Sequence, residues 1–169
     1  RLDDDPRRGI DLADQRVRGV DLGGKPGLGQ LARPGVRVGV IAQHMPEGFL
    51  ESFAKRLDAL SPLKVKLAYR GETPEAGTIY LAPGIANTQL VRNPLSGQIT
   101  FEYVQKEYKE FNNPSIDCLF ESVAHVYGAR ALAVVLTGMG KDGTMGLQAI
   151  KNKGGFTVGQ DEKSSVVYG

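Results

Sequence analysis

Short apolar runs alternate along the chain with stretches that place an apolar residue every three or four positions. Val36 to Ala42, VRVGVIA, reads as a strand that ends at Gln43-His44-Met45-Pro46. Glu47 to Leu60 reads as a helix, with Phe49, Phe53, Leu57 and Leu60 at helical spacing and Ser61-Pro62 as its stop. That stripe is assigned to the core rather than to a binding face. Short strands follow at Val65 to Ala68 and Thr78 to Ala82, the second stopped by Pro83-Gly84. Leu90 to Arg92 and Gln98 to Tyr103 form the arms of a hairpin across Asn93 to Gly97. Ser115 is placed to cap a helix with Asp117 in its first turn, a stripe of Ile116, Leu119, Phe120, Val123 and Tyr127, and Gly128 at its close. The six apolar residues Ala131 to Leu136 suit a buried parallel strand. A glycine-rich turn, Gly138 to Gly143, leads into a helix from about Thr144, with Met145, Leu147, Ala149 and Ile150 apolar. Lys151-Asn152-Lys153 and Gly154-Gly155 end that helix, and Phe156 to Gly159 is a last strand. Strands alternating with helices argue for an α/β fold on a mainly parallel sheet, with one antiparallel hairpin added.

The remaining segments are polar. Residues 1–18 are dense in Asp and Arg and read as a solvated N-terminal arm or linker. Gly19 to Gly29 holds five glycines in eleven residues, so it is a loop, either an anion cradle or a flexible connector. Lys106 to Asn113 reads as a charged, solvated loop. With 169 residues, 41% of them hydrophobic, the chain can bury one core and is most simply one domain. A net charge of +2, with Lys and Arg dispersed among Asp and Glu, makes no electrostatic case for nucleic acid. No apolar run approaches the roughly 20 residues of a membrane helix, so no membrane insertion is expected. No secretory leader is legible near the start. The single Cys118 excludes an internal disulfide and suits a reducing, cytoplasmic compartment. The first residue is Arg1, as in a fragment of a longer chain.

The candidate chemistry centres on the turn after Ala131 to Leu136, because open α/β sheets carry their sites at the carboxyl ends of strands. Gly138-x-Gly140-x-x-Gly143, with Asp161 eighteen residues on, matches a dinucleotide fingerprint. Asp142 would then sit beside a pyrophosphate, where its charge is unfavourable, and Met139 is bulky where backbone should approach closely. A plain structural turn is a second reading. In the third, Asp142 orients a histidine and the turn's N–H groups hold an oxyanion. His44, just past a strand end, is the histidine so placed. Cys118 lies inside a helix, and His125, seven residues along it, is about 10.5 Å away at 1.5 Å per residue, too far to activate it.

Taken together, His44 and Asp142 lead to a resemblance. The stretches QHMPEGFLESFAKRL from Gln43, GTIYLAPG from Gly77, PSIDCLFESVA from Pro114, and Leu136 to the end resemble the catalytic domain of the bacterial chemotaxis receptor methylesterase. This family is also described as protein-glutamate methylesterase and glutamine deamidase. The resemblance covers roughly residues 40–169. It implies a three-layer, doubly wound α/β domain over residues 19–169, with a serine, histidine, aspartate site. His44 falls on the family's histidine, Asp142 on its aspartate, and Met139 where a backbone N–H helps hold the oxyanion. The implied reaction is hydrolysis of glutamate γ-methyl esters on methylated chemotaxis receptors, with no cofactor and no metal. A phosphorylated receiver domain, attached at the N-terminus in the family, is the implied regulatory partner, and no stretch of these residues resembles one.

The chain departs from the pattern at the nucleophile. The family's serine sits in a GASTGG motif after the first strand. The closest local match, Gly19-Val20-Asp21-Leu22-Gly23-Gly24, puts Asp21 at the serine and Leu22 at the threonine. A carboxylate attacking an ester would form an anhydride, so a water-activating role beside His44 suits Asp21 better. Two functions follow. One is a carboxylic ester hydrolase with its nucleophile replaced, and the other an inactive domain of the same fold that binds receptor helices or a regulatory partner. His44 and Asp142 are expected within hydrogen-bonding reach, with the Gly19 to Gly24 loop against them.

Overall fold

The computed structural model describes residues 38–105 and 113–168. Its first unit is a parallel ladder. Strand β1 (Gly39–Ile41) and strand β2 (Lys64–Leu67) both pair in parallel with strand β3 (Thr78–Leu81), which lies between them. Helix α1 (Glu47–Leu60) connects β1 to β2. Successive residues of a strand point to opposite faces, and β3 uses both. Leu81 and half-buried Ile79 join Leu50, Ala54 and Val65 beneath α1, whereas Tyr80 joins Ala68, Leu90, Phe101 and Val126 on the other side. The Tyr80 and Phe101 rings meet there at 4.8 Å between centroids, tilted by 49°, an arrangement the ring quadrupoles favour.

The second unit is the antiparallel hairpin of β4 (Asn87–Arg92) and β5 (Ile99–Val104). The Asn93 side chain holds its turn by accepting from the N–H of Leu95 at 2.8 Å and of Ser96 at 3.1 Å. Helix α2 (Ile116–Tyr127) packs on β4, and the Ser122 hydroxyl accepts from the Leu90 N–H at 3.0 Å. The third unit is the parallel pair β6 (Leu132–Val135) and β7 (Phe156–Gly159), joined by helix α3 (Thr144–Asn152). Ala124 of α2, Ala131 and Ala133 at β6, and Ile150 of α3 form its core. The architecture is α/β with mostly parallel strands and one antiparallel hairpin, the class expected from the sequence.

Two stripes are rotated from their expected faces. In α1 the buried positions are Leu50 and Ala54, while Phe49 is 64% and Leu60 75% exposed, so those two do not belong to the core. In α3 the buried positions are Gly146 and Ile150, and Met145 is exposed. In α3 the small residue turns inward because its partner lies close: a Cβ on Gly146 would lie 2.4 Å from Phe120 Cβ. The hairpin arm also begins at Asn87, three residues before the expected Leu90. Asn87 and Thr88 are polar yet buried, which an apolar pattern does not register.

Candidate active site

His44 lies in the short segment between the end of β1 and the start of α1. Asp142 lies in the turn between β6 and α3. They are 98 positions apart, and His44 Nε2 is 2.7 Å from Asp142 Oδ2. The Asp142 side chain is only 4% exposed and that of His44 29%, so the pair has a dry end and a wet end. Because Nε2 faces the carboxylate, a neutral imidazole that donates to it carries its proton there and keeps a lone pair on Nδ1.

Asp142 has three further donors, all from the start of α2. Its Oδ2 accepts from the Ile116 N–H at 2.7 Å, and its Oδ1 from the Asp117 N–H at 2.8 Å and the Ser115 hydroxyl at 3.1 Å. Those N–H groups are among the first-turn donors that have no partner inside their own helix. The positive end of the α2 dipole also favours a negative charge at this point. Ser115 additionally accepts from the Cys118 N–H at 3.2 Å, so it is the cap that the sequence predicts. With its hydroxyl buried and donated to Asp142, it is no nucleophile.

Asp117 does more than its position in the first turn of α2 suggests. Its Oδ1 reaches across to α3 and accepts from the Gly143 N–H at 2.9 Å and the Gly146 N–H at 2.7 Å. The two aspartates therefore cap each other's helices. Glycine is required at both contact points. Gly143 has φ +103°, and a Cβ on Gly146 would lie 2.4 Å from Phe120 Cβ. The sequence signal was present, an aspartate beside each helix start in Pro114-Ser115-Ile116-Asp117 and in Lys141-Asp142-Gly143. Sequence alone assigns Asp117 to the first turn of its own helix and Asp142 to a histidine, and the exchange between the two helix starts is visible only in the fold.

Met139 is 85% exposed at the outer rim of the turn, and its N–H has no acceptor among the described residues. The turn is anchored just before it. Thr137 donates its hydroxyl to the Val167 carbonyl at 2.8 Å and accepts from the Val167 N–H at 2.9 Å. The Thr137 N–H donates to Gln160 Oε1 at 2.7 Å. Asp21 and the Gly19 to Gly24 loop lie outside the described residues. Cys118 is fully buried inside α2. Ser164 and Ser165 are engaged with Asp161, which caps a short 3-10 turn. The dinucleotide reading loses its footing, because the Gly143 and Gly146 amides that a pyrophosphate would need are taken by Asp117. Among the described residues no group of three or more His, Cys, Asp or Glu is placed to hold a metal ion. No described helix is long and apolar enough to cross a membrane.

Comparison with known proteins bears on this arrangement. A family model described as CheB methylesterase matches residues 28–169. The chain is 46% identical over 136 residues to a protein-glutamate methylesterase/protein-glutamine glutaminase of Ralstonia nicotianae, covering 80% of this chain and 34% of that protein. It is 43% identical over 132 residues to a protein of Methanosarcina mazei with the same description, numbered 2, covering 77% of this chain and 36% of that one. The chain thus spans about a third of the length of these curated relatives. Among solved structures, the CheB methylesterase catalytic domain of Thermotoga maritima superposes with a TM-score of 0.72 at 38% identity, covering 77% of this chain and 68% of that one. From the extent of the family match and the identity to these relatives, the chain belongs to the CheB methylesterase family.

Proposed function

We propose that this chain is a protein-glutamate methylesterase and glutamine deamidase domain that retains the base of the reaction and carries an altered nucleophile position. The observation that carries this reading is the 2.7 Å contact between His44 Nε2 and an Asp142 carboxylate held by three other donors. In the proposed site Asp142 keeps the proton on Nε2 and stabilises the imidazolium that forms. Nδ1 of His44 takes the proton of an attacking hydroxyl. The Met139 N–H stabilises the oxyanion on the γ-carbonyl of a glutamate methyl ester. The C–O bond to the methoxy group breaks, methanol leaves with the proton from Nδ1, and water releases the free carboxylate. The substrate is a methylated chemotaxis receptor, the site is cytoplasmic, and a phosphorylated receiver domain regulates access to it.

In this reading the hydroxyl is the missing part, with Asp21 taken to stand where the family's serine would be, upstream of the family match, which begins at residue 28. A triad that lacks one member retains only about 10³–10⁴-fold over water. That substitution favours a second reading, an inactive domain that binds receptor helices or a regulatory partner. Methanol release from a methyl-esterified receptor separates the two. The expected result is a background rate for the unmodified chain, a gain in D21S, and loss of that gain when H44A is added. Silence in D21S as well supports the binding reading. Activity of the unmodified chain that H44A abolishes means a working esterase with an unexpected nucleophile or a water mechanism.

A further inference from the structure

We propose that Asp117 is a positioning residue for the His44–Asp142 pair, acting from the far side of Asp142 without touching the histidine. The proposal rests on reading that pair as the base of the hydrolase. Asp142 sits one residue before Gly143, the N-cap of α3, which has φ +103°. A residue on a turn of this kind can pivot, and with it the direction of the carboxylate. Asp117 closes off that freedom. Its carboxylate accepts from the N–H of Gly143, so it grips the peptide that joins Asp142 to Gly143, and it takes the Gly146 N–H as a second anchor. The N–H of the same residue donates to Asp142 Oδ1. Asp142 is thus held by its backbone and by its side chain from one residue of α2, and the remaining lone pair on Oδ2 is aimed at His44.

A bland role for a first-turn acid is to complement the dipole of its own helix from the solvent side. Asp117 does not fit that role, because it is 9% exposed and both bonds of its carboxylate go to α3. A second bland role is a staple between α2 and α3, which touch closely where Gly146 meets Phe120. A staple would lower stability when removed and leave the His44 contact unchanged. Positioning predicts that the contact itself loosens, and that an uncharged acceptor of the same shape restores it.

The test reads His44 directly. The chain has two histidines, and the exposed His125 serves as the internal reference. In the folded, unmodified chain the His44 Nε2–H proton is expected as a slowly exchanging downfield NMR signal, and the His125 ring protons as exchanged away. D117A should lose the His44 signal while the chain stays folded, and D117N, which keeps one oxygen facing both amides, should keep it. In the D21S background D117A should lower kcat by about 10- to 100-fold with KM unchanged, the scale of a misplaced catalytic group. D117N should recover most of that loss. Retention of the His44 proton in folded D117A overturns the proposal and leaves Asp117 a staple. Absence of the proton from the unmodified chain overturns the proposal together with the reading of the pair. If D117A does not fold, the unmodified chain is followed as urea is raised. Joint loss of the His44 proton and of Gly143 and Gly146 amide protection supports positioning, and survival of the proton after those amides have exchanged overturns it.

Discussion

Four donors converge on the Asp142 carboxylate, and an ionised carboxylate has about four acceptor sites. An asparagine there has one oxygen, and its amide nitrogen would face N–H groups that also donate. D142N should therefore lower stability by about 1–3 kcal/mol for each buried donor left unpaired, as read by urea unfolding. It should also remove the His44 Nε2–H signal. At the other end of the described chain a single residue tunes a local turn. A hydrogen bond from the Ser164 hydroxyl at 2.6 Å holds the Asp161 carboxyl below its ordinary value of 3.8. A carboxyl depressed in the folded state contributes stability above its unfolded value and loses it as pH falls through the folded one. The protection of the Ser164 and Ser165 amides, measured against their intrinsic exchange rates, should thus fall as pH drops below about 4, and S164A should blunt that dependence. Equal exchange in the two proteins at all pH values would remove this role for Asp161.

The crossing of α2 and α3 is decided by an absent side chain. The Cβ of an alanine at 146 would lie 2.4 Å from Phe120 Cβ and 3.2 Å from the Asp117 carbonyl oxygen. Neither atom is the end of a flexible side chain, so one helix must move. G146A should lower stability by about 1–3 kcal/mol, the usual cost of overpacking. F120A should not rescue it, because alanine keeps the clashing Cβ. Rescue by F120A in denaturant unfolding would show that the ring sets the spacing. The same crossing explains why the site was only partly legible at this level. The sequence marks Ser115 as a cap and Gly143 as a turn. The exchange of aspartates depends on two helix starts, at Ile116 and Thr144, meeting in space.

Across the whole molecule, two phenylalanines with the same propensities have opposite fates. Phe101 is fully buried against Tyr80, Leu90 and Val126, whereas Phe49 is 64% exposed on α1. F101A should cost about 3–5 kcal/mol and F49A about 0.5 kcal/mol or less, read by urea unfolding. A comparable loss in F49A would return that residue to the core, where its spacing in the sequence had put it. Helical period identifies a stripe to within about one residue. Which neighbours line the buried edge depends on the surface that the helix meets, here β2 and the Leu81 face of β3.

The α/β class, the span of α1 and the ends of α2 follow from local rules, namely apolar period, the Ser115 cap, and glycine at the close of α2. His44 and Asp142 were also marked in the chain, because each follows a strand end where such sheets gather their chemistry. Local rules act over a few residues, so they cannot report the pairing of groups brought together from distant elements. Tertiary structure alone decided that His44 turns Nε2 rather than Nδ1 to the carboxylate. It also decided that Asp142 is held by the start of α2, and that Asp117 reaches across to hold α3 in return.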